Sequence, residues 1–96
     1  MELTSKQRAL LRSMANPLPV VLYIGKDGIN DGTVKETYDA LEARELIKGQ
    51  VQQNAPLSAR EACEQLCDKL GASPVQVIGS KFVLYRRNDK KPKIEI

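Results

Sequence analysis

The residues best placed to do chemistry are Gly25-Lys26-Asp27-Gly28. They close the apolar run Pro19-Val20-Val21-Leu22-Tyr23-Ile24 and precede a helical pattern that starts near Asn30 and Asp31. A strand, a glycine-bounded turn and a helix opening together suit a phosphate. Glycine lets a ligand approach the backbone where a Cβ would collide, and it permits φ > 0. The helix opening adds N–H groups and the positive end of its dipole, and Lys26 sets a mobile cation at the tip. A polyphosphate backbone, as in RNA, is the ligand these parts would fit. The plainer alternative is that Gly25 and Gly28 only reverse the chain, since glycine is the ordinary turn residue. Asp27 favours that alternative, because it puts a carboxylate where a phosphate would sit.

Little else in the chain could act on a substrate. Catalysis on RNA or phosphate esters needs a general base, a nucleophile or a metal cluster, and the chain has no His. Its only cysteines, Cys63 and Cys67, sit four apart beside Leu66 and Leu70. They read as small buried hydrophobes in a reducing compartment. Two thiols do not complete a tetrahedral zinc site, and the spacing is not that of a Cys-x-x-Cys redox pair. Asp27 and Asp31 could hold Mg²⁺ near the loop, but Asp31 is already accounted for by a helix cap. No Gly-Lys-Ser/Thr follows a four-residue spacer, so the Walker pattern is absent. The expectation is a protein that is not an enzyme and needs no cofactor and no metal. A Mg-dependent enzyme acting on RNA or phosphate esters is the minor alternative.

The chain has 96 residues, 42% hydrophobic and 28% charged, which suits one domain around one modest core. Its formal net charge of +3 is unevenly spread. Residues 1–28 hold four Lys/Arg against two acids, residues 29–70 five against eight, and residues 71–96 six against two. If the two basic ends meet in the fold, the molecule has a basic side and an acidic side, the footprint of a nucleic-acid binder. No apolar run approaches a membrane span and the first residues lack the apolar block of a signal peptide, so the expected location is cytoplasmic, with no membrane partner.

The elements that must position the loop follow from caps and periodicity. Thr4 and Gln7 form a capping-box pattern ahead of Leu10, Leu11 and Met14, and Pro17 ends this first helix near Ala15-Asn16. Val20–Ile24 is apolar on both alternating faces, as in a strand covered on both sides. Asn30 or Asp31 caps a second helix, with Val34, Tyr38 and Leu41 at i, i+4, i+7 as its inner stripe and its acids outward. Ile47–Gln52 reads as a weaker strand interrupted by Gly49. Ser58 and Glu61 open a third helix that stops at Gly71. Val75–Ile78 and Phe82–Tyr85 form a hairpin through Gly79-Ser80. The fold class is therefore α/β, one compact domain ordered α-β-α-β-α-β-β with a mixed four-stranded sheet. Residues 1–87 form the domain, and 88–96 read as a basic, flexible tail with little to bury.

Six stretches in order resemble the CRM-domain (YhbY-like) RNA-binding proteins. They are Leu3-Thr4-x-Lys6-Gln7, Ile24-Gly25-Lys26-x-Gly28, Ala40-Leu41-Glu42-Ala43-x-Glu45-Leu46-Ile47-Lys48, Val75-Gln76-Val77-Ile78-Gly79, Val83-Leu84-Tyr85-Arg86 and Lys91-Pro92-Lys93-Ile94. The resemblance spans essentially the whole chain. It implies a fold similar to the C-terminal domain of bacterial initiation factor three, and a Gly-x-x-Gly loop like that of KH domains, which clamps a nucleotide backbone. It also implies a bacterial protein that associates with precursors of the large ribosomal subunit. Two departures stand out: Asp27 where members often have a third glycine, and Gly49 where a β-branched residue is common.

The function expected is a non-catalytic binder of precursor large-subunit rRNA during ribosome assembly. Gly25, Lys26, Asp27 and Gly28 form its loop, and Lys6, Arg8, Arg12, Arg86 and Arg87 form flanking basic contacts. The chain is expected to be a monomer, with ribosomal proteins or assembly factors as further partners. A different class of function is a protein-interaction module that uses the acidic second helix. Base stacking on Tyr23, Phe82 and Tyr85 is disfavoured, because aromatics on covered strands belong to the core.

Overall fold

Each helix starts at a cap that its own sequence supplies. The computed structural model describes residues 2–96. In α1 (Ser5–Ala15) the Thr4 hydroxyl accepts from the Gln7 N–H, and the Gln7 side chain accepts from the Thr4 N–H. Ser58 and Glu61 close the same reciprocal box on α3 (Ala59–Leu70), and Gly71 ends it in the left-handed conformation. Asn30 caps α2 (Asp31–Arg44) by accepting from the Thr33 N–H. Such caps satisfy N–H groups that no helical turn can reach.

The four strands are β1 (Leu22–Ile24), β2 (Leu46–Val51), β3 (Ser73–Ile78) and β4 (Lys81–Tyr85), in the spatial order β1-β2-β4-β3. β1 runs parallel to β2, and β4 is antiparallel to both of its neighbours. The expected element order and mixed four-stranded sheet are the ones the chain forms. The connection through α2 joins adjacent strands, whereas the one through α3 passes across β4 to the far edge. Helices α2 and α3 cover one sheet face, where Leu41, Ala62, Cys63 and Leu66 meet Leu22, Ile24, Ile47 and Phe82. On the other face Leu3, Leu11 and Ala15 pack on Leu46, Val75, Val83 and Tyr85. An irregularity between Pro74 and Gln76 lets Val75 join this second cluster while Val77 packs against the first.

Four local expectations are corrected. Strand β1 is covered on one face only: Leu22 and Ile24 are buried, but Tyr23 is 56% exposed. On α2 the buried residues are Thr37 and Leu41, while Tyr38 points outward. Thr37 can be buried because its hydroxyl donates to the Thr33 carbonyl at 2.8 Å. Gly49 does not weaken β2, since the Phe82 ring lies directly over it.

The fourth correction concerns the C-terminal residues, which do bury something: Ile94 and Ile96 pack against the α1 cluster. Their anchor is Glu45, fully buried at the end of α2 with φ 63°. Its carboxylate accepts backbone N–H groups from Asn88, Lys93 and Ile94, and its carbonyl accepts from the Arg86 N–H. Burial alone would raise the pKa of this carboxyl; the three N–H donors outweigh it and hold the pKa below the ordinary value. Cys63 and Cys67 are buried free thiols, and the Cys67 pKa is pushed up by its hydrogen bond with Cys63 and by burial.

Candidate nucleic-acid interface

The Gly25–Gly28 loop is a tight turn closed by the Gly28 N–H donating to the Gly25 carbonyl at 3.0 Å. Lys26 and Asp27 form its exposed tip, and neither has an ion pair among the described residues. The two glycines differ in what they serve. Gly28 is buried at φ 66°, and a β-carbon there would stand 3.1 Å from Pro56 Cγ, so the protein's own packing requires it. A β-carbon on Gly25 would meet only the Gln52 Oε1 at 2.9 Å, the movable end of a side chain. Of the two, Gly25 is the one whose missing side chain the protein's own packing does not require. The opening of α2 offers less than expected, because the Thr33 N–H is already taken by Asn30 and Asp31 places a carboxylate in the first turn. Tyr23, Asn30, Thr33, Gln52 and Asn54 complete a shallow basin around the loop.

Register decides where the other cations lie. Ile24 pairs with Val51 and Tyr85 with Leu46. The loop and the Arg86-Arg87 pair thus sit at opposite ends of β2, roughly 17 Å apart along the strand. Arg86 is a cross-link rather than a free cation. Its guanidinium donates to Glu42 at 2.8 Å and to the Leu70 carbonyl at 3.1 Å, and stacks 4.9 Å from the Tyr38 ring centre. Arg87 is exposed, with Asp89 at 3.7 Å. Lys6 and Arg12 are exposed on α1, and Arg8 donates to the Pro74 carbonyl at the β3 edge.

The basic ends of the chain do meet, since α1 and the C-terminal residues share one cluster. Helices α2 and α3, which carry most of the acids, pack on the opposite sheet face. Lys81 carries no local signal in the sequence: it pairs with Gln50, which pairs with Tyr23, so it is exposed at the loop's end of the sheet. Only strand register brings it there. Phe82 and Tyr85 are core residues, as expected, and Tyr23 is not. Among the described residues no group of three or more His, Cys, Asp or Glu could hold a metal ion. No helix is long and apolar enough to cross a membrane.

The chain is similar to known proteins over nearly its whole length. The chain is 40% identical over 94 residues to Probable RNA-binding protein YqeI of Bacillus subtilis, covering 98% of each. It is 33% identical over 104 residues to Probable RNA-binding protein MJ0652 of Methanocaldococcus jannaschii, covering 99% of this chain and 77% of that one. The solution structure of SAV1595 from Staphylococcus aureus superposes with a TM-score of 0.82 at 42% identity, covering 99% of both chains. Residues 3–86 match the model of the CRS1 / YhbY (CRM) domain. The chain belongs to the CRS1/YhbY (CRM) domain family.

Proposed function

We propose that this protein is a non-catalytic RNA-binding protein that associates with precursor large-subunit rRNA during ribosome assembly. The observation that carries the RNA contact is Lys26, exposed and without an ion pair among the described residues, at the tip of a turn whose Gly25 leaves the backbone accessible. The relatives are named RNA-binding proteins, and the cations of α1 lie across the sheet from the acidic helices. Lys26, Lys6 and Arg12 contact phosphates, with Lys81 added at the same end of the sheet as the loop. The protein acts in the cytoplasm as a monomer, beside ribosomal proteins or assembly factors.

Two measurements test this. In filter-binding titrations against salt, Lys26→Ala should weaken RNA binding and reduce the slope of log affinity on log salt by about one. An unchanged slope removes Lys26 from the interface. Crosslinking in cells, followed by sequencing of the attached RNA, should enrich large-subunit rRNA. Enrichment of messenger RNA, or of nothing, overturns the ribosomal assignment.

A further inference from the structure

One row of side chains crosses all four strands on the face that carries α1. Tyr23 pairs with Gln50, Gln50 with Lys81, and Lys81 with Ile78. Helix α1 packs on Leu46, Val83, Val75 and Tyr85 and leaves this row open: Tyr23 is 56% exposed and Ile78 64%. The Tyr23 hydroxyl makes no hydrogen bond among the described residues, so nothing at its tip pins the ring. It lines the same basin as Gly25 and Lys26, together with the amide side chains of Gln52 and Asn54.

Charge and shape select the occupant. Lys26 and Lys81 are exposed cations on this end of the sheet; the other carboxylates of α2 and α3 lie behind it, leaving Asp27 at the turn's tip and Asp31 at the opening of α2. A flat, apolar ring between cations matches a nucleobase whose flanking phosphates are held on either side. Phe82 and Tyr85 are buried, so Tyr23 is the one exposed aromatic on the sheet among the described residues and offers room for a single stacked ring. A base inside a continuous duplex cannot present its face to a side chain, whereas a bulged or loop nucleotide can. We propose that Tyr23 is the stacking platform for a single unpaired base of the bound RNA, with Lys26 and Lys81 on the adjoining phosphates. This goes beyond the RNA-binding function proposed above and rests on it.

The chain contains no Trp, so Tyr23→Trp places a sole indole at the site, and Tyr38→Trp, on the outer side of α2, serves as its control. The probes are an RNA hairpin with one bulged adenosine and its fully paired counterpart, each dye-labelled for anisotropy. Stacking should quench the Tyr23→Trp emission on binding the bulged hairpin and leave Tyr38→Trp unaffected. Tyr23→Ala should weaken binding of the bulged hairpin about ten-fold, within the range for one stacked base. Tyr23→Phe should retain it, and the affinity for the paired hairpin and the salt slope should not move. If RNA binds with its normal salt dependence but the indole emission is unchanged, or Tyr23→Ala binds both hairpins like the unaltered protein, stacking is overturned and RNA binding stands. If the unaltered protein binds neither hairpin, both conclusions fall.

Discussion

Gly49 and Phe82 face each other across β2 and β4, and the Phe82 ring occupies the space that a side chain at position 49 would need. A β-carbon on Gly49 would lie 2.4 Å from Phe82 Cζ. Phe82 is fully buried, so neither partner can yield toward solvent. Gly49→Ala should therefore destabilise the fold by about 2 kcal/mol, the cost of overpacking a closed core. In the Gly49→Ala/Phe82→Leu double variant the clash disappears, and the two effects should fall short of additivity by about 1 kcal/mol or more. Urea denaturation of the four proteins measures both values. Equal stability of Gly49→Ala and the unaltered chain would show that the ring is not seated there.

Glu45 joins the end of α2 to the C-terminal residues. Glu45→Ala strands three backbone N–H groups and should cost about 3 kcal/mol. Glu45→Gly should be milder by about 1 kcal/mol, because glycine adopts the positive φ without strain. The carboxyl pKa is lowered in the folded state. Its contribution is therefore complete above the unfolded carboxylate pKa and is lost as the pH falls through the folded one. Stability curves across the acid range should show a shallower acid loss for Glu45→Ala than for the unaltered chain. Some loss remains, since Glu61, hydrogen-bonded to Ser58, also has a lowered pKa.

The two loop glycines should separate in experiment. Gly28→Ala forces a side chain into a left-handed backbone against Pro56 and should lower stability by about 1–2 kcal/mol. Gly25→Ala displaces only the end of Gln52 and should leave thermal unfolding nearly unchanged while weakening RNA binding. A Gly25→Ala variant with full RNA affinity would mean that no ligand comes close to that backbone.

Arg86 should behave as a structural residue. Arg86→Met keeps the aliphatic stem but removes contacts to Glu42, Leu70 and the Tyr38 ring. Stability should drop by about 1–2 kcal/mol, while the salt dependence of RNA binding stays the same. Lys81→Ala should do the reverse, leaving stability alone and reducing the salt slope by about one. A reduced slope for Arg86→Met would return that residue to the interface.

Most of the fold was legible in the chain itself. Capping boxes at Thr4/Gln7 and Ser58/Glu61, the stop at Gly71 and the glycine-bounded turn after Ile24 depend on residues a few positions apart. Local hydrogen bonding therefore suffices to place them. The basic ends and the acidic middle were equally visible, because they are properties of composition. What the tertiary structure alone decided was partnership over distance. The strand order β1-β2-β4-β3 left Tyr23 in solvent and set Lys81 in the same cross-strand row, one strand beyond Gln50, and it carried Arg86 to the far end, against Glu42. It also put Phe82 over Gly49 and drew three N–H groups of the C-terminal residues onto Glu45. Periodicity reports which residues want to be buried, not which neighbour buries them, so pairings between distant segments emerge only when the sheet assembles.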